Sequence, residues 1–197
     1  MDTSTALIIF IFVISIMTSM GGKGYNPTPT PPAEVVFQKA SVGEPDPSFL
    51  AGGGETSRQA IKNYIARYRN DFESNTIADS IIKHSQTYDM NPKLVASMIA
   101  RESKFNPRAL SSSGAAGLGQ LMPSTAKGLD ITDAYDIDQN ARGTVRYLKS
   151  LISRFKGNVS FAIAGYLEGP NAVAKQGGYS AHSKSYIEDI LNIYQKI

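Results

Sequence analysis

The chain has 197 residues, no cysteine, and a net charge of +3 that divides into −2 over residues 1–54 and +5 over residues 55–197. This length allows one core of ordinary size plus further segments, and the lack of cysteine excludes disulfide bonds, thiolate metal sites and a lipid-modified cysteine. The basic side chains favour an anionic polymer as partner, but they are dispersed and lack the stacking aromatics of a nucleic-acid site, so we expect no nucleic-acid partner.

The first 22 residues form an apolar leader. Residues 3–22 carry no charge, and residues 6–17 are apolar apart from one serine. An apolar run of about 12 residues is typical of a signal peptide, whereas an uncharged span of about 20 can just cross a bilayer. Because the leader lacks Lys and Arg and Met20 interrupts the small residues before Gly22, we predict an uncleaved membrane anchor. The alternative is a cleaved signal and an exported soluble protein.

Residues 23–54 are rich in proline and glycine. Residues 24–54 hold six of the ten prolines, including the run PTPTPP, and end in three glycines. Such a segment cannot bury enough apolar area to offset the entropy lost on ordering, so we predict a disordered, extended linker.

The remaining residues, 55–197, show helical spacing of apolar side chains and almost no strand signals, which predicts a mainly α domain. Asn91 and Pro92 mark the start of one helix as N-cap and first-turn proline, and Asp138 is predicted to cap another. Residues 111–119 (SSSGAAGLG) are predicted to form a turn, followed by a short helix-like segment. The longer predicted helices cover residues 57–72, 76–88, 91–103, 138–155 and 183–197, and residues 159–167 form a compact apolar segment.

Glu102 lies at the end of the third predicted helix, on its apolar face. Steps of three residues from Ile99 and four from Met98 both reach it. The carboxyl is then either partly desolvated, with a raised pKa suited to donating a proton, or a solvated helix-end group paired with Arg101 or Arg108. Spacing alone leaves both interpretations open.

Residues 102–126, ESKFNPRALSSSGAAGLGQLMPSTA, resemble the signature of the soluble lytic transglycosylase family, whose fold is similar to goose-type lysozyme. Residues 140–148 resemble the N-x-x-x-G-x-x-Y-L element of that family, and residues 165–173 resemble its A-Y-N-A-G-P element. The helix with Tyr186 resembles the family's closing segment. The resemblance covers about residues 75–197 and implies a lysozyme-like helical domain that acts on peptidoglycan without a cofactor.

The resemblance also implies roles for individual residues. Glu102 falls on the catalytic acid, Ser111 on a serine near the acid, Gln120 on a substrate-binding glutamine and Tyr166 on the active-site tyrosine. We expect burial and the Tyr166 hydroxyl to raise the pKa of Glu102. Gly117 and the neighbouring glycines are expected to let the backbone approach the sugar.

An ordinary glycosidase uses two carboxylates, whereas the signature in this sequence supplies one, Glu102. The resemblance implies that the substrate supplies the rest, since the N-acetyl oxygen of N-acetylmuramic acid can stabilise the cationic centre and the C6 hydroxyl can attack it. The expected product is a 1,6-anhydro sugar. A non-catalytic peptidoglycan-binding module with the same groove is the alternative from another functional class.

Two departures from the family pattern affect this interpretation. Leu167 and Glu168 stand where the family usually has asparagine and alanine, and Gly119 stands where a methionine is common. If Glu168 faced the groove, it would serve as a second carboxylate and make the enzyme a hydrolysing muramidase. Otherwise we expect Glu168 to be a solvated charge at a helix end.

The other titratable residues do not suggest a metal site. His84 and His182 are far apart in the sequence and have no acidic partner at metal-ligand spacing, so we expect no metal. Asp130, Asp133 and Asp136 are expected to be turn and cap residues.

The whole sequence therefore predicts a helical domain held against the cell wall by an anchor and a linker. We expect it in the periplasm, the envelope or a viral membrane. Such a domain suits wall opening for a secretion or conjugation apparatus or for a virus, and the sequence does not choose among these.

Overall fold

The computed structural model describes residues 55–197, and the predicted anchor (residues 1–22) and linker (residues 23–54) lie outside the described residues. Over residues 55–197 the chain forms eight helices and no strand, which confirms the mainly α prediction for this part. None of these helices is long and apolar enough to cross a membrane. The helices are α1 (Glu55–Ile65), α2 (Asp71–Thr87), α3 (Pro92–Ser103), α4 (Pro123–Gly128), α5 (Ile137–Arg154), α6 (Val159–Glu168), α7 (Pro170–Gln176) and α8 (Ala181–Lys196).

Helix α3 is the centre of the domain. It packs against α1, α2, α5 and α8, and a helix surrounded in this way needs apolar residues on most of its circumference. The start of α3 is as predicted, because the Asn91 side chain accepts hydrogen bonds from the backbone N–H groups of Lys93 and Leu94, and Pro92 occupies the first turn. Five apolar side chains of α3 are completely buried: Leu94, Val95, Ala96, Met98 and Ile99.

The chain turns sharply directly after α3. Lys104 and Phe105 both have left-handed backbone torsions, with φ of 51° and 59°, a conformation that costs energy for residues other than glycine. Phe105 is completely buried, and its ring centroid lies 6.2 Å from that of Tyr64 and 6.0 Å from that of Tyr68. Burial of this aromatic ring offsets the backbone strain and fixes the last turn of α3, which carries Glu102.

The boundary between α1 and α2 differs from the prediction. Residues 57–72 were predicted to be one helix, but α1 ends at Ile65 and α2 begins at Asp71. The Asn70 side chain accepts a hydrogen bond from the Glu73 N–H at 2.9 Å and so caps a new helix. Phe72 therefore belongs to the first turn of α2, where 79% of its surface is exposed.

The prediction that Asp138 caps the helix beginning near it was wrong. Asp136 is the N-cap of α5, accepting from the Gln139 N–H at 2.7 Å. The Asp138 carboxylate instead lies 2.9 Å from Nε2 of His84 and 3.1 Å from Nζ of Lys83, both on α2. Asp138 therefore joins two helices, and His84 has an acidic partner that its position in the sequence did not suggest.

Candidate active site

Glu102 lies in the last turn of α3, and the residue as a whole is partly exposed. Its Oε1 accepts a hydrogen bond from the hydroxyl of Tyr186 on α8. Burial raises the pKa of Glu102, whereas the Tyr186 hydrogen bond and the Arg101 charge act in the opposite direction, and the net shift is upward. A carboxyl with a raised pKa keeps its proton over a wider pH range, as a general acid must.

Tyr186, and not Tyr166, is the tyrosine bonded to Glu102. The prediction that the Tyr166 hydroxyl helps to raise the pKa of Glu102 was wrong about the residue and about the direction. The donor is Tyr186, and a donated hydrogen bond stabilises the carboxylate and so lowers its pKa. Tyr186 shares the buried face of α8 with Ile187 and Ile190. The helical spacing of these three residues predicts that Tyr186 is buried, although it does not indicate a contact with Glu102.

Tyr166 supports the loop of residues 109–122, which lies between α3 and α4. Its hydroxyl donates a hydrogen bond to the Gly119 carbonyl at 2.7 Å, and its ring centroid lies 5.0 Å from that of Tyr147. Burial and the charge of Glu102 hold the pKa of Tyr166 well above its ordinary value. Tyr166 is therefore close enough to Glu102 for the charge of the carboxylate to affect the tyrosine, while the Tyr166 hydroxyl donates to the loop.

Ser111 and Gln120 stabilise the two ends of that loop. The Ser111 hydroxyl accepts from the Ala115 N–H at 2.9 Å. Gln120 is in the left-handed region, with φ of 50°, and its Nε2 donates to the carbonyls of Ala109 at 3.2 Å and Gly117 at 3.0 Å. The side-chain oxygen Oε1 of Gln120 takes part in neither bond.

The buried Asn140 side chain on α5 holds the centre of the loop. Its Oδ1 accepts from the Gly119 N–H at 2.8 Å, and its Nδ2 donates to the carbonyls of Ala116 at 3.1 Å and Ala134 at 2.7 Å. Gly117 has φ of 76°, and a Cβ atom there would lie 2.0 Å from the Ala134 carbonyl oxygen. Packing against Asn140 and Ala134 is thus sufficient to require glycine at position 117.

Gly119 is equally tightly packed. A Cβ atom at this position would lie 1.9 Å from Oγ1 of Thr144 and 3.0 Å from its Cβ. We therefore expect Gly119→Ala to lower the free energy of unfolding by about 1–3 kcal/mol, the usual range for overpacking. Chemical denaturation of the variant and the wild type measures this difference.

The control for this prediction is Thr144→Ala, alone and combined with Gly119→Ala. Thr144→Ala removes the Oγ1 clash but also the hydrogen bond from Thr144 to the Asn140 carbonyl, so alone it should cost about 1 kcal/mol. The double variant should lose less stability than the sum of the single variants. Strict additivity would contradict the clash as the cause.

Glu168 is a partly exposed residue at the end of α6, as predicted, but its carboxylate also has hydrogen-bond partners in the protein. Its Oε1 accepts from the Ser180 N–H at 3.2 Å, from the Ser180 hydroxyl at 2.5 Å and from the Ser183 hydroxyl. Burial acts to raise the pKa of Glu168, but these hydrogen bonds and the nearby His182 outweigh it and bring the pKa below its ordinary value. The carboxylate is thus ionised and bonded to the start of α8.

The fold therefore brings together groups from three helices and one loop. Glu102 comes from the end of α3, Tyr166 from α6 and Tyr186 from α8, while the Gly119 carbonyl belongs to the loop that Asn140 supports. One carboxyl that favours its proton, faced by a tyrosine hydroxyl, can exchange a proton with a bound molecule.

Comparison with known proteins identifies related sequences and folds. Residues 79–188 match the family described as Transglycosylase SLT domain. The chain is 43% identical over 102 residues to a transglycosylase of Enterobacteria phage PRD1, covering 52% of this chain and 37% of that protein. It is 33% identical over 90 residues to membrane-bound lytic murein transglycosylase F of Vibrio campbellii, covering 43% of this chain and 16% of that protein.

Among solved structures, the 70 kDa soluble lytic transglycosylase of Escherichia coli has the same fold. The similarity has a TM-score of 0.55 at 18% identity, and it covers 71% of this chain and 29% of that one. The chain thus spans well under half the length of each of these relatives.

Proposed function

The chain belongs to the transglycosylase SLT domain family, and on this basis we propose that it is a peptidoglycan lytic transglycosylase. The proposed reaction cleaves the β-1,4 bond between N-acetylmuramic acid and N-acetylglucosamine and leaves a 1,6-anhydro product. The observation that carries the proposal is Glu102, a partly exposed residue whose carboxyl has a pKa raised by burial.

Glu102 acts twice in the proposed reaction. The protonated carboxyl donates its proton to the glycosidic oxygen, the bond from that oxygen to C1 of N-acetylmuramic acid breaks, and the N-acetyl oxygen stabilises the cationic C1. The C6 hydroxyl of the same sugar then attacks C1, and the Glu102 carboxylate accepts the hydroxyl proton. The glutamate ends the cycle protonated, and no water is consumed.

The surroundings of Glu102 suit both halves of this cycle. Burial favours the protonated carboxyl that the first step needs, and the Tyr186 hydroxyl favours the carboxylate that exists between the two steps. Glu168, the alternative second carboxylate, is bonded to Ser180 and Ser183. This engagement favours a mechanism with one carboxylate over the hydrolysing alternative.

We propose that the loop of residues 109–122 lines the glycan site. Gln120 would offer its Oε1 to a sugar hydroxyl or amide, because its Nε2 is occupied by backbone carbonyls. Ser111 would offer its hydroxyl, and Gly117 would bring the backbone close to the sugar. Tyr166 would act mainly by holding the Gly119 carbonyl in place.

We propose that residues 1–22 anchor the enzyme in a membrane and that residues 23–54 let the domain reach the cell wall. An extended linker of roughly 30 residues, at about 3.1 Å per residue, spans several tens of ångströms. The similarity to a phage transglycosylase and to a membrane-bound murein transglycosylase supports this arrangement. Local wall opening for a virion or a secretion apparatus is the proposed use.

Mass spectrometry of the fragments released from purified peptidoglycan tests the proposed reaction. The full chain in mild detergent is compared with Glu102→Gln, and we expect fragments ending in 1,6-anhydro-N-acetylmuramic acid from the wild type alone. Reducing ends in their place would mean hydrolysis. Binding to the wall without any Glu102-dependent fragment would support the non-catalytic module.

A further inference from the structure

Glu168 joins the end of α6 to the beginning of α8. Glu168 is the last residue of α6, and Ser180 is the N-cap of α8. One carboxylate oxygen accepts from the Ser180 N–H, the Ser180 hydroxyl and the Ser183 hydroxyl. An anionic group at a helix N-terminus is also favoured by the helix dipole.

The two glycines before α8 do little to fix its position. α7 ends at Gln176, and Gly177 follows with φ of 65°. A Cβ atom at Gly177 or Gly178 would meet no other atom within 4 Å, so these two residues are not tightly packed, whereas the ring centroid of Tyr179 lies 5.5 Å from that of Phe161 on α6. The start of α8 is therefore held by the packing of Tyr179 and by the side-chain bonds to Glu168.

Ser183 and Tyr186 lie on the same face of α8. They are three residues apart and both are buried, so they lie one above the other on the helix. A shift or rotation of the turn that Ser183 belongs to must therefore move the Tyr186 hydroxyl relative to Glu102.

Tyr186 is packed in the core, and it also contacts one charged side chain on α3. The Arg101 guanidinium lies 5.2 Å from the centre of the Tyr186 ring, and its Nε donates to the Asp189 carboxylate at 3.0 Å. The Arg101–Asp189 pair is about half exposed, and such pairs contribute little to stability. Arg101 and Asp189 orient the Tyr186 ring, but they do not fix the position of the first turn of α8.

We propose that Glu168 is a positioning residue, whose hydrogen bonds to Ser180 and Ser183 set the position of α8 and so place the Tyr186 hydroxyl on Glu102. The effect of Glu168 on catalysis rests on the proposed function, whereas the coupling between Glu168 and Glu102 is a property of the fold alone.

The direction of the expected effect follows from the charged groups around both carboxyls. Glu102 faces Arg101 on its own helix, Tyr186 on α8 and Tyr166 on α6, and Glu168 faces His182. The Tyr186 hydrogen bond lowers the pKa of Glu102 against the effect of burial. If α8 shifts and this bond weakens, the pKa of Glu102 should rise further.

The test is a titration of the Glu102 carboxyl by carbon-13 NMR on the full chain in detergent, with the signal assigned by its loss in Glu102→Gln. We expect the pKa of Glu102 to rise in Glu168→Ala and in Tyr186→Phe. In the double variant we expect no rise beyond that of Tyr186→Phe, because the contact through which Glu168 acts is already absent. Glu168→Gln keeps an acceptor oxygen and should give a smaller rise than Glu168→Ala.

An unchanged pKa of Glu102 in Glu168→Ala would overturn the proposal. It would also be overturned if Glu168→Ala raised the pKa of Glu102 by the same amount in the wild type and in Tyr186→Phe, because a general loosening of the fold would not depend on the tyrosine hydroxyl. If Glu168→Ala does not fold, Ser183→Ala removes one of the same bonds and is tested in the same way. The titration needs no substrate, so its result stands even if the wild type releases no anhydro fragments, and the two proposals fail separately.

Discussion

Glu102→Gln is expected to lower the rate of anhydro-fragment release by about 10²–10⁴-fold, the usual contribution of general acid–base catalysis. The amide keeps the size of the side chain and an oxygen that can accept from Tyr186, so the site should keep its shape. It cannot donate a proton to the glycosidic oxygen or accept one from the C6 hydroxyl. Rates of fragment release at saturating peptidoglycan measure the loss.

The same substitution should increase stability at pH values above the folded-state pKa of Glu102. Because the folded-state pKa of Glu102 is raised, the protonated carboxyl contributes stability that is fully present below the unfolded-state pKa and is lost as the pH rises through the folded-state pKa. Glutamine has no such loss. The melting temperature of Glu102→Gln should therefore exceed that of the wild type above the folded-state pKa.

Surface Glu188→Gln, on the same helix as Tyr186, is the matched control for both measurements. It removes one carboxylate from an exposed position, so it should leave the rate and the melting temperature nearly unchanged. A Glu102→Gln enzyme with wild-type activity would contradict the assignment of Glu102 as the proton donor.

Asn140→Ala is expected to be the most destabilising of the substitutions considered. It removes the partner of three backbone groups, namely the Gly119 N–H and the carbonyls of Ala116 and Ala134. Each buried group left without a partner costs about 1–3 kcal/mol, and water entering the space recovers part of this. We expect a loss of about 3–5 kcal/mol in the free energy of unfolding, measured by chemical denaturation.

Asn171→Ala provides the comparison for an asparagine at the surface. Asn171 is exposed and accepts one hydrogen bond from Arg154 at 2.8 Å, so its loss should change stability by no more than about 0.5 kcal/mol. If Asn140→Ala were as mild, the loop of residues 109–122 would have to be held by contacts other than the Asn140 side chain.

Local patterns predicted the parts of the site that depend on one helix. The cap at Asn91, the first-turn proline and the burial of Met98 and Ile99 all follow from spacing within α3, and they place Glu102 on the inner side of its last turn. The spacing does not reveal the break between α1 and α2, because the apolar pattern continues to Tyr68 whereas the capping bond of Asn70 begins a new helix.

The parts that depend on two distant helices could not be predicted. Tyr166 and Tyr186 both follow Glu102 in the sequence, and which hydroxyl reaches the carboxyl is decided by how α6 and α8 pack. Glu168 looked like a solvated residue because its partners, Ser180 and Ser183, come 12 and 15 residues later. Long-range packing of this kind leaves no trace in the spacing of a single helix.

The Tyr186–Glu102 hydrogen bond joins residues that are 84 positions apart, which has a consequence for the order of folding. A growing chain contains Glu102 well before it contains Tyr186, and contacts between distant residues form late because they close long loops. We expect α3 to acquire its helical turns before α8 docks against it. The acid and its hydrogen-bond donor are therefore assembled in one of the last steps of folding, so a chain interrupted before α8 carries the carboxyl without the group that tunes it.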